Sequence, residues 1–218
     1  MAIEVKSEIS RLRTVLLHRP GSELEQLAPN SMARLLFDDI PYLQGAQSEH
    51  DCFADVLREH GVRVLYLSEL MAETLAQSDA LRRRFVEDFI HRSGGVADSY
   101  REGLTELLLD IPDNRELVLK TMVGVRFDEL PQHFGRSLAS MRSDRTHFIL
   151  EPIPNLYFTR DPFACIGNGV PCTECIPLRV IVRRSTAIIF CIIIRMSRAA
   201  RPSITRPMSR SRSKAATS

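Results

Sequence analysis

Glu151–Val170, EPIPNLYFTRDPFACIGNGV, is the stretch whose reading decides the fold. Pro152 and Pro154 each remove a backbone donor and fix φ, which opposes a helix and leads into an extended apolar segment, Leu156-Tyr157-Phe158. That segment ends on Arg160-Asp161-Pro162, so a short strand closes on a carboxylate and, with Asn155, an amide beside an aromatic ring. Such a place suits a small cationic ligand: Asp161 offers two acceptor oxygens to a planar fork of N–H donors, and Asn155 can orient a polar end. The alternative is a plain turn, since Asp before Pro at a strand end commonly serves one.

Working outward, Phe148–Pro152 reads as a strand returning to a sheet. Upstream of it, residues 70–148 have a helical texture. Ser68 is the expected N-cap of a helix through Leu70, Met71, Thr74 and Leu75; Ala80–Ile90, Tyr100–Leu109 and Asn114–Gly124 follow, divided by Gly94-Gly95, Pro112 and Gly124. Phe85, Phe89 and Ile90 form an apolar stripe at helical spacing, read as core and not as a cofactor box. Before that, Ile3–Val5 and Thr14–Leu17 read as strands, His18–Gly21 as a turn, Ser31–Leu36 as a short helix, Gln44–His60 as an amphipathic helix and Val62–Leu67 as an alternating strand. Strand, helix and strand over residues 1–69 make one α/β module.

Composition marks an ordinary soluble globular chain: 218 residues, 44% apolar and 26% charged. No apolar run approaches the ~20 residues of a membrane helix and no leader opens the chain, so the expected location is cytoplasmic, with no membrane partner. Five scattered cysteines do not suggest a disulfide framework. The net charge of +2 conceals a break: residues 171–218 hold ten Arg or Lys against one acid, Glu174, whereas the first 170 residues carry a net −7.

Other motifs read as structural. His18 has no metal-type residue spaced to join it. Glu49-His50-Asp51 lies on a helix, where adjacent side chains diverge, and reads as a solvated or capping cluster. Asp38 and Asp39 are two like charges on a bend, which suits a turn pair or a nearby cation. Cys172-Thr173-Glu174-Cys175 has no second pair to complete a zinc site.

Ser7–Asp39 with its VLLHRPG and LLFDD segments, Glu49-His50-Asp51, and the opening stretch with its PNLYFTRDP occur in the order found in bacterial arginine deiminases. Over about residues 3–170 the chain resembles the N-terminal part of that family. The resemblance implies an α/β fold, a partial pentein-like propeller with a small helical domain inserted at residues 70–148 and a return strand with the pocket motif at 149–170. It implies hydrolysis of L-arginine to citrulline and ammonia without metal or organic cofactor, and homo-oligomers for intact members. By the same resemblance Asp161 grips the guanidinium, Asn155 contacts the substrate's amino-acid end, Phe158 lies against the aliphatic stem, and Asp39 and the Leu36 backbone line the pocket; the role of Arg160 stays open.

The family's nucleophile lies in a Gly-Gly-x-x-Cys segment and its acid–base histidine in a His-x-Asp segment, and neither pattern occurs here. Cys52 and Cys165 lack the setting of a nucleophile, so the chain is expected to be inactive as written. From Pro171 the text changes. Codons that spell Pro171–Leu178 can be read two bases along as LHRMYSV, and continuing permits TRNRET, which resembles the family after GNGV. One lost base near Val170 would produce this tail, expected to be disordered and out of frame. The alternative reading is a non-catalytic α/β binding module whose basic arm, Arg195–Ser218, touches nucleic acid through phosphates.

Overall fold

Thr14–Leu17 (β1) and Arg63–Tyr66 (β2) are short β-branched and leucine-rich strands that pair in parallel, Thr14 opposite Arg63 through Leu17 opposite Tyr66. The computed structural model that shows this describes residues 4–27, 29, 32–35, 37–131, 148–159 and 165–167. Parallel neighbours need a crossover, and here it runs through a 3-10 turn at Leu24–Gln26, the single-turn helix α1 (Met32–Leu35) and α2 (Leu43–Glu59). The observed α2 lies within one residue of the helix expected at each end. Gly61 (φ 74°) turns the chain after it, a left-handed conformation that glycine adopts without steric cost. Of the strand expected at Ile3–Val5, Ile3 lies outside the described residues, and Val5 makes an isolated antiparallel bridge to Gly167.

Five helices follow: α3 (Leu67–Leu75), α4 (Asp79–Ser93), α5 (Gly95–Ser99), α6 (Arg101–Leu109) and α7 (Asn114–Val123). α4 starts on Ser78, whose side chain accepts from the Ala80 N–H, and α7 on Asp113, whose carboxylate accepts from the Glu116 N–H at 2.8 Å. Ser68 is not a cap. It sits inside α3, which begins at Leu67 directly off β2 with no loop between them, so the serine falls in the first turn and is buried.

Phe85, Phe89 and Ile90 are buried in one cluster with Leu67, Met71, Leu104, Leu108, Leu117 and Met122. Each such side chain contributes roughly 1.5–3 kcal/mol of burial. The Arg82 guanidinium reaches the Leu109 and Ile111 carbonyls past the end of α6, which ties α4 to the α6–α7 joint.

β3 (Val125–Arg126) and β4 (Phe148–Leu150) pair antiparallel and bring the chain back under α7. Their approach depends on Gly124, at φ 88°, where a Cβ would stand 2.5 Å from the Leu150 carbonyl oxygen. The Ile153 N–H then donates to the Met122 carbonyl at 2.9 Å.

The opening stretch departs from expectation. Pro154–Tyr157 is a 3-10 helix, not an extended strand. Pro154 occupies its first turn, where a missing N–H and a fixed φ are compatible with a helical start. The architecture is mixed α/β, and the basic tail after Val170 lies outside the described residues.

Candidate functional site

The motifs singled out in the sequence converge at the C-terminal end of β1. His18, the first residue past that strand, is buried with Glu23, its Nε2 2.8 Å from Glu23 Oε1. The same oxygen accepts from the Gly21 N–H at 2.7 Å. A Cβ on Gly21 would meet Glu23 Oε2 at 2.6 Å, so a side chain there would displace the Glu23 carboxylate. The pair holds the loop that leads into Leu24, Leu27 and Leu35, which form a second, smaller apolar cluster with Phe37, Leu43 and Tyr157.

Arg19 forms a bidentate pair with Asp51 of α2, Nε and Nη2 each 2.8 Å from a carboxylate oxygen. Gln47 Nε2 donates to the Pro20 carbonyl at 2.9 Å. Asp51 is therefore a bridge from α2 to the HRPG turn, not a merely solvated residue. The Arg19 guanidinium holds its carboxyl below the usual carboxylate value. Neighbouring His50 packs its ring near Tyr66, and burial pushes its pKa below the ordinary value.

The 3-10 helix docks onto this base. Asn155 Nδ2 donates to the Leu35 carbonyl at 2.9 Å, joining the PNLYF and LLFDD segments, and the Phe37 and Tyr157 rings meet edge-on at 6.4 Å. Thr159 Oγ1 donates to the Leu16 carbonyl at 2.9 Å, fixing the motif to β1. The Phe158 ring lies against Tyr157 with centroids 4.0 Å apart and planes tilted by 38°, and stays half exposed. Asp39 is exposed and accepts from the Ile40 N–H at 2.7 Å. Asp161, Arg160 and Leu36 lie outside the described residues.

The PNLYF segment is thus seated on the LLFDD segment through an amide bonded to a backbone carbonyl, with the Phe158 ring half exposed and the Asp39 carboxylate exposed. Sequence reasoning missed Glu23, Tyr157 and Thr159, which hold these segments in place. Glu23 pairs across a turn, where no periodic pattern signals a partner; only Gly21 marked the tight bend.

Cys52 is exposed on α2, and burial pushes the Cys165 thiol above its ordinary value, which disfavours the thiolate a nucleophile needs. Among the described residues no group of three His, Cys, Asp or Glu is placed to hold a metal ion. Two cavities of about 790 and 270 Å³ open elsewhere, one between Arg83, Arg101 and Asp110, the other beside Gly124 and Arg126, and no residue of the two motif segments lines either.

The family model described as arginine deiminase matches residues 33–196. The chain belongs to the arginine deiminase family. It is 50% identical over 169 residues to the arginine deiminase of Clostridium perfringens, a match covering 78% of this chain and 41% of that one. The relative from Treponema denticola is 49% identical over 168 residues, 77% of this chain and 41% of its own. That from Streptococcus sanguinis is 50% identical over 170 residues, again 77% and 41%. The chain thus spans about two-fifths of the length of the curated relatives it matches. Its pairwise matches have the length of the motif-bearing part, whereas the family model extends past Val170 to residue 196. Among the described residues no helix is long and apolar enough to cross a membrane.

Proposed function

We propose that this chain carries one wall of an L-arginine pocket and, as a single 218-residue chain, does not itself release citrulline. The observation that carries the reading is the Asn155–Leu35 hydrogen bond, which places the amide of one family motif on the backbone of the other. In this arrangement Asn155 and the Leu36 backbone face the amino-acid end of arginine, Phe158 lies along its methylene stem, Asp39 lines the rim and Asp161 pairs with the guanidinium. A bidentate carboxylate–guanidinium pair would hold the carbon to be attacked in place. Hydrolysis further needs a thiolate to attack that carbon and a histidine to move protons, and the family segments that bear them do not occur in this sequence.

The architecture is read in the same terms. Residues 1–69 form the first α/β module of a propeller, 70–148 an inserted helical domain, 149–170 the return segment with the pocket motif, and 171–218 an out-of-frame tail. Support for the insertion is that α3 leaves β2 without a loop and the chain, after pairing β4 with β3, comes back beside β1, where the Thr159 hydroxyl bonds the Leu16 carbonyl. Intact members act in the cytoplasm as homo-oligomers in this reading.

The test is citrulline release from the purified chain supplied with L-arginine. Turnover above a heat-killed control would refute inactivity. Resequencing the DNA around the Val170 codon tests the frame: an unbroken reading in clean data, with the same tail in intact relatives, overturns the lost base.

A further inference from the structure

Asn155 and Thr159 each commit a side-chain donor to a backbone carbonyl, and the two carbonyls belong to different elements. Asn155 Nδ2 bonds the Leu35 carbonyl at the end of α1, and Thr159 Oγ1 bonds the Leu16 carbonyl in β1, both at 2.9 Å. Both side chains are partly buried. The backbone between them is a single 3-10 turn, closed by the Phe158 N–H on the Asn155 carbonyl at 3.1 Å. The segment is pinned at its two ends, and Phe158 lies just inside the second pin.

Packing seats the body of this turn but not its end. Leu156 is fully buried, and the Tyr157 ring meets Phe37 edge-on. Phe158 follows as the residue that caps the turn, with its ring 48% exposed and lying against Tyr157 of the same turn. A contact made within the turn does not set where the ring stands relative to β1. A bond from the next residue to the strand does.

Both partners in that bond suit the task. The Arg63 N–H donates to the Arg13 carbonyl at 2.9 Å, and alternation along a parallel strand then turns the Leu16 carbonyl away from β2. Leu16 therefore offers an acceptor outside the β1–β2 ladder on a strand whose position the ladder fixes. Threonine is stiff at χ1, so its hydroxyl has fewer directions open to it than that of serine.

We infer that Thr159 is a positioning residue for the proposed arginine pocket: its bond to the Leu16 carbonyl sets where the Phe158 ring stands, and with it the seat of the substrate's methylene stem. The role rests on that reading of the pocket, whereas the bond itself does not. A stem is held alike before and during reaction, so loss of its seat weakens binding and spares the chemical step.

The kinetic test uses the intact Clostridium perfringens relative, changed at the positions that match Thr159 and Phe158. Thr159→Val is expected to raise KM for L-arginine about fivefold or more with kcat within about twofold, while Thr159→Ser, which keeps the hydroxyl, stays within about twofold in both. Thr159→Ala, which removes the hydroxyl without placing a methyl against the carbonyl, repeats the test where the valine variant does not fold. In the full 218-residue chain, Thr159→Val is expected to speed amide exchange in the peptide spanning residues 154–159 roughly tenfold with the helical circular dichroism unchanged. An unmoved KM, a serine variant as weak as the valine one, a fall in kcat at constant KM, or unchanged exchange at 154–159 overturns the inference. KM raised by Phe158→Ala but not by Thr159→Val leaves the pocket standing and removes the role of the threonine. KM raised by Thr159→Val but not by Phe158→Ala overturns the role assigned through the ring and counts against Phe158 in the pocket.

Discussion

The helical cluster and the motif wall are built on opposite terms. In the cluster, Phe85, Val86, Ile90, Leu104, Leu108, Leu117 and Met122 are all fully buried, and each helix covers the next. At the wall the apolar cluster is small, Leu24, Leu27 and Leu35, and its outward residues Ile40, Tyr42 and Phe158 stand in solvent. The cluster is held by area removed from water; the wall is held by a few specific polar bonds. Stability and function are therefore expected to respond to different substitutions.

The sharpest break in that contrast is at the cluster's centre. Phe85→Ala leaves a cavity among residues that cannot collapse into it and is expected to cost about 3–5 kcal/mol, read by denaturant unfolding followed at the helical signal. Next comes Gly124→Ala, where a Cβ would overlap the Leu150 carbonyl and the backbone is left-handed. A loss of roughly 1–3 kcal/mol is expected, with exchange accelerated first at Val125–Arg126 and Phe148–Leu150. On the wall, Glu23→Ala strips the buried His18 ring and the Gly21 N–H of their acceptor; about 1–3 kcal/mol is expected, and Glu23→Gln should recover part of it.

Acid acts on the α2 side of this region through His50 and Asp51. Burial lowers the His50 pKa, so the neutral ring is favoured in the folded chain; its contribution is complete above the ordinary value of 6.5 and is lost as pH falls through the lowered folded value. Asp51 behaves as a depressed carboxyl: its contribution is present above the ordinary 3.8 and disappears below that, as pH falls through its folded value. Melting temperature measured from pH 7 to 3 should fall in two steps, and His50→Phe should remove the upper one. The smallest effect on stability is expected from Phe158→Ala, within about 0.5 kcal/mol because the ring is half exposed. Introduced at the matching position of an intact relative, the same change should still raise KM for L-arginine, and an unaltered KM would remove Phe158 from the pocket.

Much of this was legible in the sequence, for reasons that differ by residue. Thr14–Leu17 and α2 were readable because their periodicity is local and their ends carry turn chemistry. Phe85, Phe89 and Ile90 were readable because three large apolar residues on one helical face have no other use. The 3-10 helix at Pro154–Tyr157 was not, since proline opposes a helix interior yet suits its first turn, and the sequence does not say which applies. Nor were the Arg19–Asp51 and Asn155–Leu35 contacts, which join segments 32 and 120 residues apart and exist only once the crossover has formed. For the same reason the site's family motifs were recognisable while the bonds that assemble them were not.

The Thr159 bond to Leu16 spans 143 residues, and the Asn155 bond to Leu35 spans 120. Contacts that close such long loops carry a large entropic cost until the intervening chain is ordered, whereas the helices of residues 67–123 collapse through neighbours close in sequence. The helical cluster is therefore expected to order before the contacts at Thr159 and Asn155, which amide exchange pulsed during refolding would read. A chain emerging from the ribosome cannot seat the PNLYFT segment on β1 until Thr159 is free to reach back to a strand made 143 residues before.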